Sequence, residues 1–313
     1  MLKIIKAETS LGSDNKGSEL APELLLKSGL LNALDANKIN YEILELPKIP
    51  QPEDSTLRRL NLPAVKNHTF LTALNKSIYD LAVTSKNKNN KTLLLGGDHS
   101  ASIGSMFATK KSAPKAVLLY IDAHPDCNSP TSSPSGNMHG MSLSTALGDA
   151  LYEDYKYPKY KYSEIILLGA KDIDSSEQRY IKDKKIKMYT ITDVITDGVG
   201  SVMKEILKFI ADRPLHVSLD IDSVDVSEAP GTGIINKGGL TYREIRYITE
   251  LLSTKDIRSI DLMEINPKND ENNKTLNLGT ELVINLLGGK WSPYEKYLNA
   301  GTSRSNNNSK RNK

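Results

Sequence analysis

Eight short runs of apolar, β-forming residues recur along this chain: Leu2–Ala7, Tyr41–Leu46, Thr92–Leu95, Ala116–Ile121, Ile165–Gly169, Lys187–Ile191, Leu215–Ile221 and Arg258–Ile265. Several are continuous rather than alternating. A strand with one wet face alternates apolar and polar residues; a strand apolar throughout is covered on both faces, as in parallel sheets under helices. Between the runs lie segments with helical periodicity. Glu19–Leu34 carries Leu24, Leu25, Leu30 and Leu31, and Lys66–Val83 carries Phe70, Leu71, Leu74, Ile78 and Leu81. Val199–Ala211 carries Val202, Ile206, Phe209 and Ile210. Thr241–Leu252 opens on Thr241 with Glu244 three residues on, a capping box. This alternation predicts an α/β fold, a single three-layer domain with a mainly parallel sheet of about eight strands flanked by helices.

The domain is expected to occupy residues 1–300, with 301–313 (GTSRSNNNSKRNK) as a disordered polar tail. Ser85–Lys91 reads as an exposed turn. Asp149–Glu164 interleaves Tyr with Lys and reads as plain surface rather than a nucleic-acid contact. A net charge of +3 over 313 residues gives no reason to expect nucleic acid or an anionic membrane as partner. No apolar run approaches the roughly 18 residues of a membrane span. The start reads as a first strand rather than a signal peptide, and the single cysteine, Cys127, excludes an internal disulfide framework. A cytoplasmic protein is expected.

Four motifs rich in acid and histidine close predicted strands: Gly96-Gly97-Asp98-His99, Asp122-Ala123-His124-Pro125-Asp126, Asp220-Ile221-Asp222 and Asp261-Leu262-Met263-Glu264. In open α/β sheets, ligands bind at that edge. Residues i, i+2 and i+4 of an extended chain project to one side. Asp122, His124 and Asp126 are therefore expected to converge, and Asp220 with Asp222 likewise. With His99 this makes four carboxylates and two imidazoles facing one cleft. Four crowded carboxylates do not all stay ionised without cations, and two divalent ions would neutralise them. A set rich in oxygen with some imidazole suits Mn²⁺ better than Zn²⁺. Any one of these motifs alone is more often a cap or a turn; the weight lies in their combination. His216, inside a strand, reads as a core or helix-facing histidine, and His68 has no partner motif. Cys127 alternates away from the ligand face and reads as packing.

The motifs GGDHS (96–100), DAHPD (122–126), SLDIDSVD (218–225), DCNSPTSSPSGNMHG (126–140), GAKDIDSSE (169–177), GGLTYRE (238–244) and DLMEINP (261–267) resemble the ureohydrolase superfamily, and within it the arginase family. The resemblance runs from about Ile4 to Gly289. It implies an arginase-like fold and hydrolysis of L-arginine to L-ornithine and urea, with two Mn²⁺ per subunit. It implies that His99, Asp122, Asp126 and Asp220 hold one ion and Asp122, His124, Asp220 and Asp222 the other, so that Asp122 and Asp220 bridge. A metal-bridging hydroxide would attack the guanidinium carbon. His139 matches a proton-shuttle histidine, Asp126 would relay a proton to the leaving amine, and Glu264 matches the carboxylate that orients the guanidinium. Asn128 and Ser135 match contacts to the substrate's α-carboxylate, and Asp174 and Glu177 contacts near its α-amino group. Without the motif, Asn128 and Ser135 are ordinary turn residues. Homotrimers or homohexamers are implied as well. One departure stands out: after Gly233 the family continues Thr-Pro, whereas this chain has Ile234-Ile235. An agmatinase or guanidinobutyrase shares the metal motifs; the loop from Asn128 to His139 argues against it. A non-catalytic arginase-like protein is expected to lose metal ligands, and none is missing here.

Overall fold

The computed structural model describes residues 1–50, 65–85, 90–151, 156–235 and 237–291. The polar tail 301–313, the middle of the Ser85–Lys91 turn and part of Asp149–Glu164 lie outside them. The strands are β1 (Leu2–Ala7), β2 (Tyr41–Leu44), β3 (Lys91–Gly96), β4 (Val117–Ile121), β5 (Ile165–Ala170), β6 (Lys187–Thr190), β7 (Leu215–Asp220) and β8 (Ile257–Met263). All pair in parallel, in the order β2-β1-β3-β8-β7-β4-β5-β6. Parallel neighbours need crossover connections, and helices supply them.

The two faces of the sheet sort the residues by parity. Leu93, Leu95, Val117, Leu119, Ile121, Val217 and Leu219 face one core. There they meet α1 (Ala21–Leu25), α2 (Leu31–Ala36), α7 (Ile191–Asp197), α8 (Val199–Ile210), α9 (Tyr242–Leu252) and α10 (Lys274–Leu286). Leu94, Leu118, Tyr120, Ile165 and Leu167 face the other core, with α3 (His68–Thr84), α4 (Ser102–Ser112), α5 (Ser142–Leu147) and α6 (Ser175–Lys184). The sandwich has three layers, as the continuous apolar runs require.

On β7 and β8 the second face is polar. His216 Nε2 lies 2.7 Å from Asp261 Oδ2, and His216 Nδ1 lies 3.0 Å from Thr109 Oγ1 on α4. Ser105 Oγ, also on α4, donates to Asp261 Oδ1 at 2.7 Å. His216 is thus a fully buried, helix-facing core histidine.

The helix expected over Glu19–Leu34 is interrupted. Gly29 has φ 149°, and a π-helical turn (Leu26–Leu30) separates α1 from α2. A glycine adopts that backbone at little cost, so the chain breaks there.

The end of β3 is pinned by its neighbour. Gly97 N–H donates to Ala7 O at 2.9 Å and Asp98 N–H to Thr9 O at 3.0 Å. A Cβ on Gly97 would stand 1.7 Å from Thr9 O. Gly97→Ala should therefore cost at least about 3 kcal/mol, because backbone cannot step aside as a side chain can. Chemical denaturation measures this; a variant as stable as the parent would mean the two segments do not touch.

Candidate active site

The four central strands of the sheet, β3, β8, β7 and β4, are neighbours, and they carry the four motifs. Strands in a sheet lie about 4.8 Å apart, so their carboxyl ends gather the motif residues within one small region.

Turns complete the convergence, not strand alternation. Along an extended chain i and i+4 stand roughly 13 Å apart, too far to share one cation. Here β4 ends at Ile121, and Asp126 has φ 50°, which folds the segment back. On β7, a 3₁₀ turn (Ile221–Ser223) follows Asp220, whose Oδ1 accepts the Asp222 N–H at 2.8 Å. Turns bring these residues together, not the extended geometry invoked for them. Glu264 also has positive φ, 64°. A non-glycine residue in that region is held at a cost, and such residues cluster where geometry serves a function.

His99 Nδ1 is 3.0 Å from Asp122 Oδ2, 3.0 Å from Asp220 Oδ2 and 3.6 Å from Asp126 Oδ2. His124 Nδ1 is 3.0 Å from Asp222 Oδ2 and 3.6 Å from Asp122 Oδ1. Two overlapping triads result, His99–Asp122–Asp126 and Asp122–His124–Asp222, each with its ligand atoms within 4.8 Å of one another. Asp122 belongs to both. Asp220 belongs to neither, although it touches His99. The cluster is buried: His99, Asp122, Asp220 and Asp222 are each no more than 3% exposed.

Burial, joined by the charge of neighbouring aspartates, pushes the Asp126 and Asp220 carboxyls well above their usual range and raises Asp222. Burial acts on Asp122 in the same sense, but His124 and His99 outweigh it and hold Asp122 at about 2. His99 and His124 are raised by their aspartate partners against the opposing effect of burial. Among the described residues, Asp122 Oδ2 has no hydrogen-bond partner although His99 Nδ1 lies 3.0 Å away. A buried, orphaned carboxylate oxygen among three more carboxylates and two imidazoles is a donor set that fits divalent cations.

Other residues hold the cluster in place. Ser218, two residues before Asp220 on the same face of β7, lies 2.8 Å from His99 Nε2 and leaves Nδ1 to the aspartates. Tyr120 stacks on the His99 ring at 4.6 Å, and its hydroxyl donates to Asp126 Oδ2 at 2.8 Å. Sequence reasoning missed both; their signal is position, since each precedes an aspartate by two residues on a strand. Asp98 belongs to neither triad. It accepts from Gly12 N–H at 2.9 Å and from Ser100, and so caps the turn that carries His99.

The remaining expected residues line a cleft of about 120 Å³ above the cluster, a size for a small molecule rather than a polymer. Glu264 Oε1 accepts the His99 backbone N–H at 2.8 Å and lies 3.1 Å from His139 Nδ1. Burial opposes a charged His139 ring, but the bond to Glu264 and its charge outweigh burial and raise the pKa to about 9. Asn128 Nδ2 donates to Asp174 Oδ2 at 3.0 Å, while Asn128 Oδ1 accepts from Ser132 and Ser176. Glu177 accepts from the N–H groups of Cys127 at 2.9 Å and Asp174 at 3.1 Å, and burial raises its pKa to about 7. Ser135 is exposed on the rim. Cys127 is buried, its Sγ 3.2 Å from Pro125 O. Ser133, Thr232 and Ile234 also line the cleft; Ser133 and Thr232 carried no motif signal of their own.

The arrangement has close counterparts. The sequence profile of the arginase family matches residues 2–288. The arginase of Bacillus caldovelox is 34% identical over 92% of this chain and 98% of its own length. That of Staphylococcus aureus (strain COL) is 32% identical over 92% of this chain and 97% of its own. The native crystal structure of the Bacillus caldovelox enzyme superimposes with a TM-score of 0.85, covering 93% of this chain and 99% of that one at 32% identity. By profile, by relatives and by fold, the chain belongs to the arginase family.

Proposed function

We propose that this protein is a binuclear manganese hydrolase that converts L-arginine and water to L-ornithine and urea in arginine catabolism. The observation that carries the reading is the meeting of His99, His124, Asp122, Asp126, Asp220 and Asp222 at the carboxyl ends of β3, β4 and β7, with Glu264 of the β8 end beside them. A guanidinium is cationic and resonance-stabilised, so neutral water does not attack it. Two Mn²⁺ ions held by these six residues would acidify water and supply hydroxide at working pH. Glu264 Oε2, which has no partner among the described residues, would receive the guanidinium and turn its carbon toward the cluster. Asp126 would pass a proton to the leaving amine, and His139 would exchange it with solvent. Asn128 and Ser135 would take the α-carboxylate, and Asp174 and Glu177 would face the α-amino group. Family resemblance also supports a homotrimer or homohexamer in the cytoplasm. No helix among the described residues is long and apolar enough to cross a membrane.

Urea release from L-arginine and from agmatine, measured side by side with defined metals, tests the reading. Agmatine lacks the α-carboxylate. Losing one or two hydrogen bonds to a charged group should lower its kcat/KM about 10²-fold. The reverse preference would make the protein an agmatinase-type ureohydrolase. No turnover of any guanidino compound, with no uptake of manganese, would make it a non-catalytic relative.

A further inference from the structure

Thr232 is 1% exposed, and its Oγ1 has no hydrogen-bond partner among the described residues. The residue is otherwise firmly held. Its N–H donates to Pro230 O at 3.0 Å, its carbonyl accepts from Asn269 Nδ2 at 2.9 Å, and it bridges antiparallel to Ile265. That bridge sets Thr232 beside Glu264, and both line the cleft. The next two residues offer the cleft no side-chain acceptor. The Gly233 carbonyl accepts from Asn15 Nδ2 at 3.0 Å, and the side chain of Ile234, which lines the cleft, is hydrocarbon. A Cβ on Gly233 would lie 3.8 Å from Glu264 Oε2, so this stretch directly faces the oxygen that has no partner.

A guanidinium carries N–H donors and no acceptor, more donors than one carboxylate oxygen can receive. We propose that Thr232 Oγ1 accepts a hydrogen bond from the substrate's guanidinium, next to Glu264, in a wall where Ile234 offers no hydroxyl. This rests on the arginine-hydrolysing reading above. The hydroxyl makes no hydrogen bond among the described residues, so a ligand N–H would satisfy it without breaking an existing one. Removing it without changing shape should therefore weaken the handling of substrate but not the fold.

Thr232→Val and Thr232→Ser separate the possibilities. Thr232→Val should lower kcat/KM for L-arginine about 10-fold, the loss expected for one hydrogen bond to a charged group. Its melting temperature should be equal to or above that of the parent, because a buried unsatisfied group is gone. Thr232→Ser, which keeps the hydroxyl, should restore activity. Competitive inhibition by L-ornithine, which has no guanidinium, should be unchanged in all three proteins. A Thr232→Val enzyme with the parent's kcat/KM, or one in which ornithine inhibition weakens in step with arginine turnover, overturns the assignment. Should the valine variant fail to fold, Thr232→Ala against Thr232→Ser makes the same comparison. Absence of turnover in the parent would count against the arginase reading, and parental activity unaltered by loss of the hydroxyl against Thr232 alone.

Discussion

Asp122→Asn is expected to leave a folded protein that releases almost no urea. Asp122 is the one residue common to both triads, with Oδ2 toward His99 and Oδ1 toward His124. On the proposed reading, neutralising it would remove a charged ligand from both cation sites at once. If about 4 kcal/mol of transition-state stabilisation is lost, turnover falls on the order of 10³-fold. Stability supplies a second reading. In the parent, Mn²⁺ at a hundred times its dissociation constant should stabilise the fold by about 2.7 kcal/mol, raising the melting temperature by roughly 5 °C. The variant should show little of that shift. Without metal the variant should be less stable than the parent at neutral pH, since the Asp122 charge that His99 and His124 favour is gone. A metal-induced shift of parental size in Asp122→Asn would contradict the shared role.

The same cluster determines how metal-free protein responds to pH. Asp126, Asp220 and Asp222 are raised above 3.8, and His99 and His124 above 6.5. A group raised on folding contributes stability that is whole below its unfolded pKa and is lost as pH climbs through the folded one. Asp122, lowered to about 2, works in the opposite sense but is a single group. Metal-free protein should therefore weaken from acid toward neutral pH.

The strands were legible because a parallel strand buried on both faces must be apolar at every position, as Val117–Ile121 is. Some helices were not, and for the same physical reason. In α4, every residue from Ser102 to Lys110 is buried, so no stripe of apolar residues marks it, and small and hydroxyl side chains fill the space against β7 and β8. α10 is likewise buried over most of its length. The cluster of aspartates and histidines was legible as motifs because its members sit close together in sequence at strand ends. The way they converge was not, since positive φ at Asp126 and the turn at Ile221–Ser223 depend on tertiary context. Least legible was Thr232. A threonine between two glycines carries no signal until the fold leaves its hydroxyl buried without a partner beside Glu264.

Glu264→Gln should separate two functions of one carboxylate. Glu264 is 7% exposed, and its Oε1 already serves His99 N–H and His139. On the proposed reading, its charge would be the counterpart of the guanidinium cation in a partly dry cleft. Removing one partner of a buried charge pair costs about 3–5 kcal/mol, which corresponds to a loss in kcat/KM of roughly 10²-fold to nearly 10⁴-fold. The glutamine keeps the shape and one acceptor oxygen, so the fold should persist. The second function appears in the residual activity. Burial lowers the His139 pKa, and Glu264 more than offsets that to hold it near about 9. In the variant burial remains and the charge is gone, so the ring should lose its proton at lower pH. If the protonated ring serves turnover, the alkaline limb of the kcat profile should move toward neutral pH. Stability follows the same sign. The parental contact contributes fully below pH 6.5 and is lost as pH rises through about 9, so the variant should depend less on pH across that window. A pH profile that fell in height but kept its alkaline limb in place would show that Glu264 binds the substrate without setting the protonation of His139.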